Sequence, residues 1–215
     1  TQSNSPSPSI PSTPTDSKSE TVTISEEVPQ NNYRVTTLAH VAHPMQITFS
    51  EAGDALFVAQ GSLHTITKIT VSTRAASVYA GATVVSGGLD ASSGLSARFN
   101  NPCGAVHDSL RGVLYVADTD NHVLRSIYDA TSAVFVTAGQ IGVSGVGDDS
   151  DPLDATLTAP YHLALAPDAS YILWTEPHTF VIRKQLLPNQ AVETIAGQSG
   201  VQAHLDGSPG NFFDP

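Results

Sequence analysis

The chain has 215 residues and carries 9 Lys and Arg against 20 Asp and Glu, which gives a net charge of -11. A negative field of this size repels phosphate backbones, so the composition argues against a nucleic-acid ligand and favours cationic partners. The lone cysteine, Cys103, excludes an intrachain disulfide and a multi-cysteine metal site. No apolar run approaches the roughly 18 to 20 residues that a membrane-spanning helix needs.

Residues 1–32 are predicted to form a disordered leader. The segment is rich in Ser, Thr and Pro, and no aromatic residue precedes Tyr33. Such a composition buries too little apolar surface to offset the chain entropy that folding removes. We interpret the leader as a linker. In an exported protein the same composition would suit an O-glycosylated stalk, so the compartment stays open, secretion and cell-surface display included.

A β-rich stretch, residues 33–39, follows the leader. It is similar to residues 134–138 and 192–196, which end later copies of an internal repeat. We predict that it forms a detached outer strand, because a ring of blades is often closed by one strand from the opposite end of the chain. The three strands that should precede it are missing, so we expect its partner strands to lie outside this sequence.

The remainder of the chain is a repeat with a period of 58 residues. Such periodicity is typical of proteins in which each copy buries its apolar face only against its neighbours. We define the copies as residues 43–100, 101–158 and 159–215. The landmarks that recur at this spacing are Pro44, Pro102 and Pro160; the apolar segments 56–59, 114–117 and 172–175; Gly81, Gly139 and Gly197; and Asp90, Asp148 and Asp206.

Each copy contains four short apolar or β-branched runs separated by turn-forming residues, which predicts a four-stranded antiparallel meander. No amphipathic helix of useful length occurs, so the fold class is all-β. The predicted strands are 46–49, 56–59, 66–71 and 76–80; 104–107, 113–117, 123–128 and 133–138; and 162–166, 171–175, 180–185 and 192–196.

A long connector leaves the last strand of each copy, at residues 81–101, 139–158 and 197–214. In the second connector Asp151 and Pro152 have the order of an N-cap and a first helical position, which predicts one short helical turn. The final residues, 212–215, are similar to residues 99–102, which open the central copy. We therefore expect a fragment with an incomplete ring of blades.

The central copy contains three consecutive motifs, made up of Ala97, Phe99, Pro102 and Gly104, then residues 114–119, Asn121, His122, Leu124 and Arg125, and finally residues 137–139. With these motifs it resembles the NHL-repeat β-propeller family. The family pattern is Ala-x-Phe-x-x-Pro-x-Gly, then Leu-Tyr-Val-Ala-Asp-Thr-x-Asn-His-x-Ile-Arg and a closing Thr-x-Ala-Gly. The third copy has Trp-Thr-Glu-Pro-His at 174–178 in place of the turn signature, and the first has Gln-Gly-Ser-Leu at 60–63.

The resemblance implies three NHL-type blades of four strands. It leaves the activity open, because the family includes interaction modules, RNA-binding modules and relatives that are metal-dependent lyases or hydrolases. We favour a non-enzymatic binding platform for a protein or peptide; a metal-dependent lyase or hydrolase with a site at the central channel is the alternative. We also align Phe57, Tyr115 and Trp174 at one repeat position and expect them to pack between blades.

Candidate site residues fall into two groups. The turn between the second and third strands and the connector leave from the same edge of each blade, because strand direction alternates. This loop edge is acidic, and we expect it to bind a basic partner. Its predicted ligand-binding residues are Asp118, Asp120, Asp148, Asp149, Asp151 and Glu176.

The second group is predicted to line the central channel, where the first strand of each blade begins. Gln46, Gly104 and His162 share this position in the three copies. Metal-dependent propellers place His side chains at such inner positions, so His162 is the best candidate for a divalent-metal ligand. Isolated histidines without a ligand spacing motif are usually hydrogen-bonded bystanders, and no cofactor is predicted.

Overall fold

A computed structural model describes residues 37–50 and 52–202 of the chain. These residues form three four-stranded antiparallel sheets, each with its strands in chain order. This result confirms the predicted all-β class and the four-stranded meanders. The strands are β1 (Pro44–Phe49), β2 (Ala55–Gln60), β3 (Thr65–Thr70) and β4 (Ala76–Gly81); β5 (Pro102–Asp108), β6 (Val113–Asp118), β7 (Val123–Tyr128) and β8 (Val134–Ala138); β9 (Leu163–Leu165), β10 (Tyr171–Glu176), β11 (Val181–Leu186) and β12 (Val192–Gly197).

We refer to the three sheets as blades 1, 2 and 3. The first strand of each blade is innermost, and β5 packs between β1 and β9. The helices of the described residues are three short 3-10 turns, none of them long enough to cross a membrane. Of the predicted outer strand 33–39, residues 33–36 lie outside the described residues, and residues 37–39 are not in a strand. The leader and residues 212–215 also lie outside them.

The turn between the second and third strands ends, in each blade, at a residue in the left-handed region. It ends at His64, His122 and Phe180, whose φ angles are 58°, 59° and 62°. In the first two blades the histidine Nδ1 accepts a hydrogen bond from the backbone N–H at the start of the next blade, Asn101 at 3.0 Å and Ala159 at 3.1 Å. The histidine of the turn signature therefore joins neighbouring blades.

Two apolar clusters lie between the blades. Between blades 1 and 2, Phe57 and Ile66 pack against Phe99 and Leu114, and all four side chains are buried. Tertiary packing supplies most of the stability of such sheets, since each buried side chain of this size contributes about 1.5 to 3 kcal/mol. The cluster between blades 2 and 3 contains Tyr115, Leu124, Leu157, Ile172 and Trp174.

The alignment of Trp174 with Tyr115 and Phe57 was wrong. All three side chains are buried between blades, as predicted, with 1%, 3% and 3% exposure. However, the 58-residue equivalent of Tyr115 is Leu173, and Trp174 corresponds to Val116. Because successive side chains of a strand point to opposite faces, Trp174 faces the preceding blade, whereas Phe57 and Tyr115 face the following one.

Candidate functional site

The acidic residues predicted to bind a ligand divide into buried and exposed groups. Asp118, at the end of β6, is fully buried and lies beneath the turn. Its Oδ1 accepts a hydrogen bond from the Asn100 backbone N–H at 2.7 Å, and its Oδ2 accepts one from Asn121 Nδ2 at 2.8 Å. These contacts fix the turn and the entry to the blade, which are structural roles for Asp118 and Asn121.

Asp118 is also part of a buried ion-pair network. The guanidinium of Arg125, on β7, has no exposed surface and donates to Asp118 Oδ2 at 3.0 Å. It also donates to Asp90 Oδ1 at 2.5 Å and to the carbonyl oxygens of Leu89 and Arg98 in the incoming connector. Arg125 therefore joins the connector to the interior of its own blade.

Blade 3 contains the same network 58 residues later. Arg183 donates to Glu176 Oε1 at 3.3 Å and to Asp148 Oδ1 at 2.8 Å. The Trp174 indole N–H also donates to Glu176 Oε1, at 2.9 Å. A polar arrangement that recurs at the repeat spacing, with every carboxylate paired, is expected of a structural element and not of a single ligand site.

Burial raises the pKa of both carboxyl groups. It raises the pKa of Asp118 to about 6, because the loss of hydration outweighs the charge of Arg125 and the hydrogen bonds to the carboxylate. The pKa of Glu176 is also raised by burial, against the opposing charge of Arg183. Both groups lie inside the protein, where they do not meet a partner from solvent.

The structure therefore corrects part of the predicted ligand-binding set. Asp118 and Glu176 have 0% exposure, so neither can contact a ligand at the surface. Asp148 is exposed, but its Oδ1 is paired with Arg183 and its Oδ2 accepts a hydrogen bond from the Thr194 backbone N–H. The sequence signal for an acidic surface was ambiguous here, because a carboxylate at a strand end can face solvent or a buried arginine.

Besides Asp148, three of the predicted residues are exposed at the loop edge. These are Asp120, in the turn of blade 2, and Asp149 and Asp151, in the connector between blades 2 and 3. Asp151 Oδ1 accepts a hydrogen bond from the Leu153 backbone N–H at 3.0 Å, and the Asp154 N–H donates to the Asp151 carbonyl oxygen. Asp151 thus caps the single turn that the sequence predicted.

Exposed aliphatic side chains accompany these carboxylates. Every connector begins with a small hairpin, closed by the bridges Ala82–Val85, Gln140–Val143 and Gln198–Val201 at the repeat spacing. The predictions from sequence did not include these side chains, although the recurring Val of the hairpin was visible in the repeat. Up to residue 202, where the described part of the third connector ends, the large apolar side chains exposed in the connectors are Val84, Val85, Leu89, Leu95, Ile141, Val143, Leu153 and Val201.

Neighbouring connectors touch each other along the loop edge. A Cβ atom at Gly88 would lie 2.7 Å from Ile141 Cγ2, so the Ile141 side chain reaches the preceding connector. Asn121 Nδ2 donates to the Gly87 carbonyl oxygen at 2.7 Å, and the Gly142 N–H donates to the Asn121 carbonyl oxygen at 3.0 Å. The turn of blade 2 therefore bridges two connectors and makes their exposed side chains part of one surface.

The predicted channel position is filled by an amide. Gln46 Oε1 accepts hydrogen bonds from the backbone N–H groups of Leu163 at 3.1 Å and Ala105 at 3.3 Å, and Gln46 Nε2 donates to the Leu163 carbonyl oxygen at 2.9 Å. One side chain of blade 1 thereby satisfies inner-strand edges of blades 2 and 3. Unpaired backbone groups at such an edge are costly when buried.

The other two channel residues behave differently. Gly104 allows close contact between blades, because a Cβ atom there would overlap the carbonyl oxygen of Tyr161. His162 is exposed and its ring lies 4.6 Å from the Tyr161 ring. Within residues 37–50 and 52–202, no three His, Cys, Asp or Glu side chains are grouped closely enough to hold a metal ion.

A polar cleft between blades 1 and 2 was not predicted. His107 Nε2 lies 2.8 Å from Asp129 Oδ2, and the His107 ring stacks on Phe57 at 5.6 Å. Lys68 Nζ lies 5.7 Å above the centre of the Phe57 ring. The pKa of Tyr79 is raised by burial and by the charge of Asp129. The cleft has a volume of about 290 Å³.

This cleft departs from the repeat. The residues 58 positions after His107 and Asp129 are Leu165 and Leu187, which belong to the apolar interface between blades 2 and 3. The sequence shows this departure, because His107 and Asp129 are polar at two positions where the third copy has leucines. The cleft contains a lysine, a tyrosine, a histidine and an aspartate. Because these groups differ in charge and in hydrogen-bonding role, they do not indicate one class of ligand.

No protein-family model and no curated protein matches this sequence. Solved structures with a similar fold include a protein of unknown function from Bacteroides thetaiotaomicron, with 19% identity and a TM-score of 0.56 over 69% of this chain and 34% of that one. An auxiliary nutrient binding protein from Bacteroides ovatus has 17% identity and a TM-score of 0.54 over 69% and 36%. The nidogen/laminin complex has 18% and 0.51 over 73% and 49%.

These similarities show the fold. The described residues are part of a β-propeller, and the chain spans between 34% and 49% of the length of the three structures above. Identities of 17% to 19% carry no information about ligand or activity.

Proposed function

We propose that this protein is a non-enzymatic binding platform of the NHL-repeat type, which engages a protein or peptide through the loop edge of its blades. The observation that carries this proposal is the surface on that edge. Aliphatic side chains such as Val143 and Leu153 are exposed in the same connector as the carboxylates of Asp149 and Asp151. Exposed apolar side chains next to charged groups are typical of interaction surfaces.

The scaffold beneath this surface is suited to the role. The buried guanidinium groups of Arg125 and Arg183 hold the incoming connectors against the blades, through ion pairs with exposed carboxylates and hydrogen bonds to carbonyl oxygens. Binding residues are often found on loops that a rigid scaffold holds in place. Holding the connectors in advance reduces the entropy that a partner must remove on binding.

The NHL assignment rests on the residues of the repeat. The Asp-Thr-x-Asn-His turn and the Arg of the third strand are the most specific part of the family pattern. In blade 2 the side chains of Asp118, Asn121 and Arg125 contact one another, and His122 contacts the next blade. The pattern therefore has a physical basis in this chain, which supports its use as a family signature.

The centre of the molecule favours a platform over the metal-dependent alternative. A lyase or hydrolase of that kind needs several imidazole or carboxylate groups directed at one point. Here the channel positions hold the Gln46 amide, which is bonded to backbone groups of both other blades, and Gly104, which is packed against Tyr161. His162 is the only imidazole among these three positions.

The expected partner is a peptide or protein surface with aliphatic side chains and Lys or Arg. We would select binders from a displayed library of random short peptides against the 215-residue chain and then synthesise the strongest one. Enrichment of Lys and Arg together with aliphatic residues is the expected result. Selection of acidic peptides, or of none above background, would contradict the proposal.

The residues involved can then be tested with charge-matched variants. The variant Asp120→Asn/Asp149→Asn/Asp151→Asn should weaken binding of the synthetic peptide about tenfold at low salt and much less at high salt. The control Asp54→Asn/Asp168→Asn/Glu193→Gln removes the same charge away from the loop edge. Equal losses for the two triple variants would mean that only the net charge of the protein attracts the peptide.

A further inference from the structure

The hairpin that opens each connector is built in the same way in all three blades. It is a four-residue turn in which the backbone N–H of the fourth residue donates to the carbonyl oxygen of the first, at 2.9 to 3.0 Å. A second hydrogen bond, from the N–H of the third residue, joins the hairpin to the turn between the second and third strands at 3.0 to 3.3 Å. The backbone therefore places the fourth residue at an equivalent point on every blade. The hairpins are 82–85, 140–143 and 198–201, and the second bond is accepted by the carbonyl oxygens of Leu63, Asn121 and Thr179.

The fourth residue of the hairpin is a valine in every copy, and it faces solvent. The exposures of Val85, Val143 and Val201 are 49%, 42% and 43%. The two residues before it vary, since the second position holds Ala, Ile and Ser and the third holds Val, Gly and Gly. The turn constrains the third position, whose φ is positive, but no rule of turn geometry calls for an apolar fourth residue. The recurrence of the valine therefore indicates a role that the three hairpins share.

The first two connectors have a second exposed aliphatic residue in common. Leu95 and Leu153 lie 58 residues apart and are 59% and 49% exposed. The backbone that carries them is also the same, because equivalent hydrogen bonds close both connectors. These bonds run from the Gly87 N–H to the Phe99 carbonyl oxygen at 3.0 Å and from the Gly145 N–H to the Leu157 carbonyl oxygen at 3.1 Å.

The repeated side chains belong to one acidic surface. Ile141 of the second connector reaches Gly88 of the first, so neighbouring connectors are in contact. The carboxylates of Asp120, in the turn of blade 2, and of Asp149, in the second connector, are exposed on the same edge. Such a surface is complemented by aliphatic side chains that recur along the partner and by Lys or Arg beside them.

We infer that the partner is a polypeptide in which an aliphatic and basic unit recurs, with one unit bound at the hairpin valine of each connector. This inference rests on the proposed function, peptide binding at the loop edge, and adds the number and arrangement of the bound units. Once one unit is bound, the next is held at a high effective concentration beside the neighbouring connector. Linkage of this kind raises affinity by a factor of roughly 10² to 10⁴ over a single unit.

Synthetic peptides with one, two or three Leu-Lys-Leu-Lys units test the inference. Flexible Gly/Ser linkers of about 4 to 16 residues join the units and hold them about 11 to 22 Å apart on average. Titration calorimetry with the full 215-residue chain should give one three-unit peptide per chain. With the best linker it should bind at least about 100-fold more tightly than the one-unit peptide. A gain of no more than about threefold, which the number of units alone produces, overturns the inference.

Substitution of the valines shows where the units bind. Val85→Thr, Val143→Thr and Val201→Thr each keep the β-branched shape of the side chain, so the hairpin is retained. Each should weaken binding of the three-unit peptide about fourfold, as for one lost methyl contact. The one-unit peptide should lose no more than about 1.5-fold, because two connectors remain unaltered. A loss confined to one of the three valines overturns the inference.

Leu110→Thr is the matched control. Leu110 is 76% exposed in the turn between β5 and β6, at the opposite edge of blade 2, so both affinities should stay unchanged. The outcomes also separate this inference from the proposed function. A one-unit peptide that binds at the loop edge without any gain from linkage overturns only the repeated partner, whereas peptides that do not bind at any length contradict both.

Discussion

Blades 1 and 2 have the same backbone but different chemistry at their centres. In blade 2, Asp118 and Arg125 form a buried ion pair, and Arg125 reaches the incoming connector. In blade 1 the same positions are Gln60 and Thr67, which form a neutral hydrogen bond. Gln60 Nε2 also donates to the Ala42 carbonyl oxygen at 2.6 Å. The positions that form an ion pair in blade 2 are thus occupied by an uncharged, hydrogen-bonded pair in blade 1.

The difference distinguishes the contacts that join the strands of a blade from the contacts that hold the incoming connector. Both pairs join the end of the second strand to the third strand, so either chemistry is enough to form the meander. In blades 2 and 3 the arginine donates to two carbonyl oxygens of the incoming connector, whereas in blade 1 a single bond from Gln60 reaches the incoming segment, at the Ala42 carbonyl oxygen. We infer that the arginine positions the connector, and that burial of its charge is the energetic cost of doing so.

The largest effect is expected from breaking the charged pair. Arg125→Thr leaves the Asp118 carboxylate buried without its counter-ion, and the free energy of unfolding should fall by about 3 to 5 kcal/mol. The double variant Asp118→Gln/Arg125→Thr installs the residues of blade 1. It should be more stable than Arg125→Thr alone by at least about 1 kcal/mol, because it removes the unpaired charge. Urea unfolding of the three proteins provides the measurement.

A double variant that is less stable than Arg125→Thr would show that the residues of blade 1 cannot replace those of blade 2 at these positions. It would mean that the backbone of blade 2 does not accept the neutral pair, and that the charged network is needed for the fold of that blade.

A smaller effect is expected from pH. The pKa of Asp118 is about 6 in the folded protein against an ordinary value of 3.8, so the folded state binds more protons between these values. The contribution of Asp118 to stability is therefore fully present below pH 3.8 and is lost as pH rises through about 6. The stability advantage of the wild type over Asp118→Asn should shrink by up to about 3 kcal/mol over this range.

The pH effect is read from urea unfolding at several pH values. Asp120→Asn is the control, because Asp120 is the exposed acidic neighbour of the same turn. An advantage of the wild type over Asp118→Asn that grows with pH would show that Arg125 outweighs the loss of hydration.

The smallest effect is expected in blade 1. Thr67→Val removes the hydroxyl that donates to Gln60 Oε1 while keeping the shape of the side chain. The free energy of unfolding should fall by about 1 kcal/mol, as for a neutral hydrogen bond. Thr70→Val, on the same strand, is the control. A loss as large as that of Arg125→Thr would show that the neutral pair and the ion pair are equally critical.

Much of the fold was predictable because the repeat supplies the same local information three times. Strand alternation, turn residues and the spacing of Pro44, Pro102 and Pro160 agree with one another, and each predicted strand of the three meanders was found. The one packing error concerned Trp174. A shift of one residue reverses the face of a strand, and the conspicuous aromatic residue was given more weight than the spacing.

The candidate site was predictable only in part. Asp149 and Asp151 are exposed in the connector, as an acidic loop suggests. Asp118 and Glu176 are as acidic in sequence, yet both are buried against arginines seven positions later. Nothing local distinguishes the two cases, because the arginine comes from the neighbouring strand and its second partner comes from a connector about 35 residues away.

The amino-acid sequence was sufficient for the period, the strands and the all-β class, because these depend on patterns that act over a few residues and then recur. The tertiary structure decided which carboxylates face solvent, that Gln46 fills the centre and that His107 and Asp129 meet between blades. Gln46 contacts a residue 117 positions away and His107 one that is 22 positions away, and each arginine that pairs with a buried carboxylate also binds a connector residue about 35 positions away. Their burial is set by which blades lie against each other.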